Sequence, residues 1–228
     1  MSDGASLGVA LITEVFHEDP GGKRLRSHLS AAKRRGAELA VLPELPLNPW
    51  SAYSRDARDH DAEFVDGPRQ STMSQAARDV GMAVLGGAIV LDPDSGKRHN
   101  TALLYGSDGA CLARYRKIHL PEEDGYWETS HYVPGRQPPR VTGDLPLRVG
   151  IQICSDVNRP EGFQLLAAQG VEVVLAPRAT PLETWSRWRM VLQANAVMAA
   201  AYVVSVNRPR PEGMSSIGGP SVAIAPSG

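Results

Sequence analysis

Three reactive side chains stand at the ends of apolar segments, where a buried sheet would normally exclude them. Glu44 ends the apolar run 39–43, Lys117 lies on the less charged face of a strand-like segment, and Cys154 closes an alternating run just before a helix. A carboxylate can remove a thiol proton, the thiolate can attack an electrophilic carbon, and an ammonium can hold the negative charge that develops. The set therefore indicates cysteine-based hydrolysis that needs no histidine.

Each of the three residues also fits an ordinary structural role. Glu44 fits a loop residue or a helix cap, Lys117 a surface lysine at a strand end, and Cys154 a small core residue. Because a partly buried lysine is costly without an anionic partner, we expect a carboxylate near Lys117. The hypothesis rests on the three residues together.

The elements that must position these residues alternate between strand-like and helix-like segments, which predicts an α/β fold. Turn-rich residues 92–96 and 107–109 join three consecutive strands into a meander within a mixed sheet. The segment 121–139, rich in proline and aromatic residues, is predicted to be a loop. Strands are predicted at 7–12, 38–45, 83–91, 99–105, 111–120, 145–154, 171–177, 202–207 and 221–225, and helices at 23–35, 71–80, 160–169 and 184–200.

Three signatures follow one another in an order that resembles the nitrilase superfamily, the carbon–nitrogen hydrolases with a Glu-Lys-Cys triad. Residues 40–45 resemble the segment of the general base, 115–120 the lysine motif, and 150–156 the nucleophile motif. Between the last two, residues 127–135 resemble the segment that bears a second active-site glutamate, which is Glu128 here. The resemblance runs from about Leu7 to the last residue.

This resemblance implies a four-layer α-β-β-α sandwich, in which two mixed sheets are flanked by helices. We expect a single carbon–nitrogen hydrolase domain over residues 1–228 that is short at its C-terminus relative to the family. The resemblance also implies subunits that pair through helices into a homodimer or a higher homo-oligomer. No cofactor and no metal are implied.

The resemblance also implies a role for each site residue. Glu44 takes the thiol proton, Cys154 forms a thioester as ammonia or an amine leaves, and water activated by Glu44 then releases the acid. Lys117 and the backbone N–H of Ser155 hold the oxyanion. Glu128 orients Lys117 or the substrate amine and offsets its charge.

Fewer signals bear on the residues that contact substrate. Trp50 and Tyr53 follow the general base and could form an aromatic wall, although a packed loop fits equally well. Arg178 follows a strand at the edge where Cys154 should emerge. It could bind a substrate carboxylate by a forked contact, or it could form a surface salt bridge.

The expected substrate is a small amide, hydrolysed to an acid and ammonia. A nitrile and an N-carbamoyl amino acid remain alternatives because the same triad serves them. Val157 and Asn158 stand where carbamoylases place arginines, which weighs against a carbamoyl substrate.

One departure from the family pattern lies on the predicted helix 184–200, where residues 193–195 lack the carboxylate that relatives carry. A non-catalytic binding protein with the same fold is the rival class, although it would not need Lys117 beside two carboxylates.

Composition excludes several other functions. The formal net charge is −1 and no long basic run exists, so nucleic acid is not an expected partner. The two cysteines, Cys111 and Cys154, lack metal-site spacing and predict no disulfide framework. Residues 56–63 are predicted to be a solvated loop rather than a metal site, and the uncharged run 191–207 is too short for a membrane helix. Without a signal peptide at its start, the chain is expected in the cytoplasm.

Overall fold

The computed structural model describes residues 4–213 and 215–228 and arranges them in four layers, with helices outside two facing sheets. The strands are β1 (Val9–Leu11), β2 (Leu39–Val41), β3 (Ala62–Glu63), β4 (Ala83–Leu91), β5 (Arg98–Tyr105), β6 (Cys111–Arg116), β7 (Glu122–Glu123), β8 (Tyr126–Trp127), β9 (Val149–Ile151), β10 (Val173–Arg178), β11 (Tyr202–Asn207) and β12 (Val222–Ile224). The helices are α1 (Lys23–Arg34), α2 (Pro68–Val80), α3 (Pro160–Ala168) and α4 (Trp185–Ala199).

Both large sheets are mixed. The first has the strand order β1-β2-β4-β5-β6, and β3 also pairs with β4. Its strands β1, β2 and β4 are parallel, whereas β4, β5 and β6 form the predicted antiparallel meander. The second sheet has the order β12-β11-β10-β9, in which only β12 is antiparallel to its neighbour. The predicted α/β fold with two mixed sheets is therefore confirmed.

The core lies on both faces of the first sheet. Along β2, Leu39 and Val41 face the second sheet, while Ala40 and the next residue after the strand, Leu42, pack against the layer of α1 and α2. Because successive side chains of a strand point to opposite faces, a strand covered on both faces reads as an uninterrupted apolar run. Helices α3 and α4 cover the outer face of the second sheet. Leu166 on α3 is one of the side chains that this packing buries.

The two segments that carry the predicted base and nucleophile leave their strands earlier than the sequence suggests. The predicted strand 38–45 is regular only at Leu39–Val41, and the predicted strand 145–154 only at Val149–Ile151. Each segment then passes through a residue in the left-handed region, Leu45 at φ 47° and Cys154 at φ 46°. An extended strand excludes this conformation, so the alternation of apolar residues was misleading near Cys154.

Two further segments differ from the predictions. The predicted loop 121–139 contains the small hairpin of β7 and β8 and a short 3-10 turn at Glu128–Ser130. The predicted solvated loop 56–63 is exposed at residues 56–60, but the prediction is wrong at its end, where Asp61 and Glu63 are buried and the segment passes into β3. The carboxylate of Glu63 accepts backbone N–H groups at the start of α2, a contact that sequence spacing does not reveal. None of the helices in the described ranges is long and apolar enough to cross a membrane.

Gly135 packs against the end of β6, directly beside Lys117. Its N–H donates to the carbonyl oxygen of Lys117 at 2.8 Å, and a Cβ built on Gly135 would collide with the carbonyl oxygen of Arg116. Because backbone cannot yield as a flexible side chain can, we expect Gly135→Ala to lower the free energy of unfolding by about 1–3 kcal/mol. Denaturant unfolding measures this loss. Gly143→Ala is the matched control, since its added Cβ would meet nothing within 4 Å, and an equal loss in both variants would contradict the prediction.

Candidate active site

Three of the predicted catalytic side chains meet in the interior. The Lys117 ammonium lies 2.8 Å from Glu44 Oε1 and 2.6 and 2.8 Å from the two oxygens of Glu128. All three side chains are completely buried. The structure therefore places both Glu44 and Glu128 on Lys117, and this lysine is completely buried rather than a surface lysine at a strand end.

The two oxygens of Glu44 have different surroundings. Oε1 accepts hydrogen bonds from Lys117 Nζ and from Asn100 Nδ2, both at 2.8 Å. Oε2 is buried and has no hydrogen-bond donor among the described residues. Since Oε1 is already occupied, Oε2 is the atom that is free to accept a proton. Asn100 was not predicted as a site residue; the signal was a polar residue within the otherwise buried β5.

Cys154 begins a short 3-10 turn, Cys154–Asn158, directly after the second sheet. Its thiol is buried and lies 4.0 Å from the carbonyl oxygen of Ala179. A non-glycine residue in the left-handed region is uncommon and is typical of strained turns at functional sites. Burial and then the charge of Glu44 raise the pKa of the Cys154 thiol well above its usual value, against the opposing charge of Lys117. The resting thiol therefore keeps its proton and needs a base to lose it.

The charges of this site are not balanced, because one ammonium faces two carboxylates. Burial opposes the charge of Lys117, but Glu128 and Glu44 outweigh burial and hold the pKa of Lys117 well above its usual value. Burial raises the pKa of Glu128 to about 8, Glu44 adds to this rise, and Lys117 opposes it. The site therefore retains a proton that a carboxylate in water would lose.

The remaining predicted residues have mixed placements. Trp50 is buried, donates from Nε1 to the carbonyl oxygen of Gly125 at 3.2 Å, and contacts Tyr126 edge to face at 5.8 Å. The hydroxyl of Tyr53 accepts a hydrogen bond from Arg58 at 3.0 Å. These contacts fit the packed-loop interpretation, and contact with substrate stays a prediction for both residues.

Ser155 also has a structural contact, since its hydroxyl donates to the carbonyl oxygen of His119. That bond joins the turn after Cys154 to the segment after Lys117. The predicted role of the Ser155 backbone N–H at an oxyanion stays a prediction.

Arg178 is completely buried at the end of β10, so the alternative prediction of a surface salt bridge is wrong. Its Nε donates to Ser205 Oγ at 2.9 Å, and its other nitrogens donate to Thr180 Oγ1 and to the carbonyl oxygen of Pro220. Burial lowers the pKa of Arg178 to about 10, while the Cys154 charge opposes this effect. The guanidinium therefore lies within electrostatic range of the thiol, and a forked contact with substrate remains a prediction.

Arg208 was not predicted and holds the turn that carries Glu44. Its Nη1 donates to the carbonyl oxygens of Glu44 and Leu45 at 2.8 and 2.7 Å, and its Nη2 to that of Asn48 at 3.0 Å. Nε and Nη2 also bind the carboxylate of Glu212 at 2.7 and 2.6 Å. The fixed fork of a guanidinium suits this set of acceptors. The available signal was an arginine directly after a buried strand.

Tyr126 was also missed. Its hydroxyl is buried without a hydrogen-bond partner among the described residues. Burial raises the pKa of Tyr126, and the charges of Cys154 and Glu44 add to the rise. The ring therefore lies close to the reactive groups, beside the indole of Trp50.

The structure shows no metal centre in the part of the chain that it describes, because no group of three or more His, Cys, Asp or Glu side chains is placed to hold an ion. Both cysteines are unpaired, Cys111 on the surface and Cys154 in the interior. On helix α4, Asn195 donates to the carbonyl oxygen of Val157 at 2.8 Å and so supports the turn that follows Cys154.

The raised pKa of Glu128 predicts how stability depends on pH. The pKa in the fold, about 8, lies above the unfolded value of 4.5, so the stabilising contribution is complete below pH 4.5 and is lost as the pH rises through about 8. We expect the urea concentration at the unfolding midpoint of the parent protein to decrease as the pH is raised from 5 to 8.5. Glu128→Gln, which cannot titrate, should show a smaller fall over the same range. Equal pH dependence in both proteins would contradict the assigned pKa.

Comparisons with known proteins agree with this geometry. The family model for the carbon-nitrogen hydrolases matches residues 6–228. The omega-amidase NIT2 of Homo sapiens is 31% identical over 214 residues, which are 90% of this chain and 75% of the relative. The deaminated glutathione amidase of Synechocystis sp. is 31% identical over 186 residues, 78% of this chain and 67% of the relative.

Solved structures give the same result. The crystal structure of an amidase from Nesterenkonia sp. has a TM-score of 0.83 at 26% identity and covers 98% of this chain and 84% of its own. A mutant of that amidase carries the acetamide moiety of fluoroacetamide on its active-site cysteine, with a TM-score of 0.81, 25% identity and coverage of 99% and 84%.

These findings confirm the predicted enzyme class, a hydrolase of non-peptide carbon–nitrogen bonds, and they support amide hydrolysis through a cysteine intermediate. The chain belongs to the carbon–nitrogen hydrolase family, within the nitrilase superfamily.

Proposed function

We propose that this protein hydrolyses a small amide to a carboxylic acid and ammonia through a thioester on Cys154. The observation that carries the proposal is the buried cluster of Glu44, Lys117 and Glu128 in electrostatic range of an unpaired, buried thiol. A stable core would gain nothing from this arrangement, because buried ions cost several kcal/mol each unless their geometry is excellent. A nucleophilic enzyme needs a base, an ammonium and a thiol together.

The first half-reaction begins with proton transfer from Cys154 Sγ to Glu44 Oε2. The sulfur attacks the amide carbon, and the negative charge on the carbonyl oxygen is held by Lys117 and the backbone N–H of Ser155. When the tetrahedral intermediate collapses, the carbon–nitrogen bond breaks and the nitrogen takes the proton from Glu44. Ammonia leaves, and the acyl group remains on Cys154 as a thioester.

The second half-reaction repeats these steps with water. Glu44 removes a proton from water, the oxygen attacks the thioester carbon, and the same donors hold the oxyanion. Collapse of this intermediate breaks the carbon–sulfur bond, releases the acid and returns the proton to Cys154. Throughout, Glu128 holds Lys117 through two contacts and keeps its ammonium in position for the oxyanion.

The raised pKa of the thiol matters for this order of events. Burial and the charge of Glu44 keep Cys154 protonated while the site is at rest. Since Lys117 favours negative charge near it, thiolate forms most readily when the proton moves to Glu44 and the charge develops between Lys117 and the substrate. The resting enzyme is thereby protected from oxidants that require a thiolate.

An amide is favoured over a nitrile or an N-carbamoyl compound because the omega-amidase, the deaminated glutathione amidase and the Nesterenkonia amidase are all amidases by name. We propose Trp50, Tyr53 and Tyr126 as the apolar wall beside the acyl group. Arg178, whose charge lies within range of Cys154, is proposed to favour substrates with a second, negatively charged group.

Ammonia release from a panel of compounds tests the proposal. The panel contains short primary amides, omega-amides of dicarboxylic acids, N-carbamoyl amino acids and simple nitriles. We expect release from at least one amide, and a fall in kcat of at least about 1,000-fold in Cys154→Ala. Cys111→Ala is the matched control and should keep the parent rate, because Cys111 lies on the surface.

Other outcomes of this panel are equally informative. Release from nitriles or carbamoyl compounds alone would replace the amide with one of the alternatives. Silence from well-folded protein across the whole panel would contradict the proposal and favour a binding protein that keeps the fold without turnover.

We also propose that the protein is a homodimer, or part of a higher homo-oligomer, that pairs through the outer face of α3 and α4. This face exposes a set of large apolar side chains, namely Leu165, Met190, Val197 and Met198. Met190, Val197 and Met198 recur at helical spacing on one face of α4, and an exposed apolar face is typical of an interaction site. Because the active-site chemistry uses free thiols and small substrates, we propose a reducing cytoplasm as the working compartment, with neither nucleic acid nor membrane as a partner.

Light scattering in solution tests the helix pairing. We expect the parent mass to be at least twice that of one chain, and Val197→Glu combined with Met190→Glu to shift it toward the monomer. Phe64→Glu serves as the control, since Phe64 is equally exposed but lies far from α3 and α4 in the sequence. A monomeric parent would contradict the proposal.

A further inference from the structure

Asp156 is a buried carboxylate to which the reaction scheme above gives no task. Its Oδ1 accepts from the N–H groups of Ile118 at 3.2 Å and His119 at 2.8 Å, and contacts His119 Nδ1 at 2.8 Å. Its Oδ2 accepts from the hydroxyl of Tyr115 at 2.9 Å and from the N–H of Ile153 at 3.3 Å. The side chain is fully buried, and its contacts come from two separate segments of the chain.

These contacts lie on both sides of the reacting groups. Ile118 and His119 directly follow Lys117, while Ile153 directly precedes Cys154. Lys117 stands at the end of β6 in the first sheet, and Cys154 begins the turn after β9 in the second. One carboxylate therefore joins the backbones of the two sheets at the place where their catalytic side chains meet.

We propose that Asp156 is a positioning residue that sets the separation between the Lys117 ammonium and the Cys154 thiol. The proposal rests on the catalytic roles given to these two residues above. Hydrogen bonds to a charged acceptor are about twice as strong as those between neutral groups. Since an error of about 1 Å in a catalytic group can cost about 100-fold in rate, a rigid tie between the two backbones affects the reaction directly.

A carboxylate is required here because both oxygens must accept. An amide at the same place has a single acceptor oxygen, and its NH2 group would face either the donors now on Oδ1 or those now on Oδ2. The burial of an ionised carboxylate would be costly without these donors. Tyr115 is in turn held by Gln152, whose Nε2 donates to the Tyr115 hydroxyl at 3.1 Å, so the tie extends into both segments.

The variant Asp156→Asn tests the proposal, measured where circular dichroism shows full folding. We expect kcat to fall by about 100-fold while KM changes by less than about threefold, because the misplacement acts on the reacting atoms. Alkylation of Cys154 by iodoacetamide should slow by at least about tenfold, whereas alkylation of the exposed Cys111 should not change. Mass spectrometry of the two cysteine peptides separates these rates.

Glu63→Gln is the matched control for a purely structural effect. Glu63 is also a buried carboxylate, and it accepts from the backbone N–H groups of Arg69 and Gln70 at 2.9 and 3.0 Å and from the side chains of the same residues. This variant should lose stability and keep the parent kcat. If folded Asp156→Asn also keeps kcat and the Cys154 alkylation rate within twofold of the parent, the proposal is overturned.

A second variant and the alkylation rates test the positioning role if Asp156→Asn does not fold or if no substrate is found. If Asp156→Asn does not fold, the double variant Tyr115→Phe, His119→Ala removes two of the contacts to Asp156 and should still slow Cys154 alkylation; an unchanged rate overturns the proposal. If the parent hydrolyses none of the panel compounds, the alkylation rates still report on the position of Cys154. Failure of the proposed function is thereby distinguished from failure of the positioning role.

Discussion

The rest of the structure depends on one interaction, the contact of the Lys117 ammonium with the carboxylates of Glu44 and Glu128 in the absence of solvent. Removing a charged partner from a buried pair leaves an uncompensated charge and typically costs about 3–5 kcal/mol. The three side chains must therefore be held close together by the fold. The same cost makes the cluster a poor device for stability alone and an effective one for chemistry, because its charges are fixed before substrate arrives.

The two-sheet architecture provides this precision. The strands that precede Glu44 and Cys154 are completely buried, and Tyr115 on the strand before Lys117 is buried in the same core, so the residues that follow start from fixed positions. Contacts outside the sheets then fix the backbone where it leaves these strands. Arg208 binds the carbonyl oxygens of the turn after β2, and Gly135 allows a close approach to the end of β6. Two of the reactive side chains thus lie where the backbone is in the left-handed region: Glu44 directly precedes such a residue, Leu45, and Cys154 is one itself.

Much of the fold and part of the site could be predicted from the sequence. Apolar runs such as 39–42 and 83–91 identified the buried strands, and Glu44, Lys117 and Glu128 meet as the resemblance implied. What failed was local backbone geometry. Periodicity extends a strand to Cys154, but it carries no information about the left-handed conformation that turns the chain at this residue.

Polar contacts between residues far apart in the chain could not be predicted from the sequence either. Arg208 lies about 160 positions from the turn that it holds, and Asn100 lies 56 positions from Glu44. The surface alternative for Arg178 was wrong because a charged residue at a strand end is usually solvated, whereas Ser205, Thr180 and Pro220 supply acceptors for it in the interior. Such pairings depend on the tertiary fold and leave no spacing signal.

Trapping the acyl-enzyme tests directly whether Cys154 forms a thioester. Parent protein is mixed with an amide that it hydrolyses, quenched in acid within one turnover, and digested for peptide mass spectrometry. We predict a mass increase equal to the acyl group on the peptide that contains Cys154, and none on the peptide that contains Cys111. Release of acid and ammonia with no acyl group on Cys154 at any time of quench would contradict the thioester mechanism.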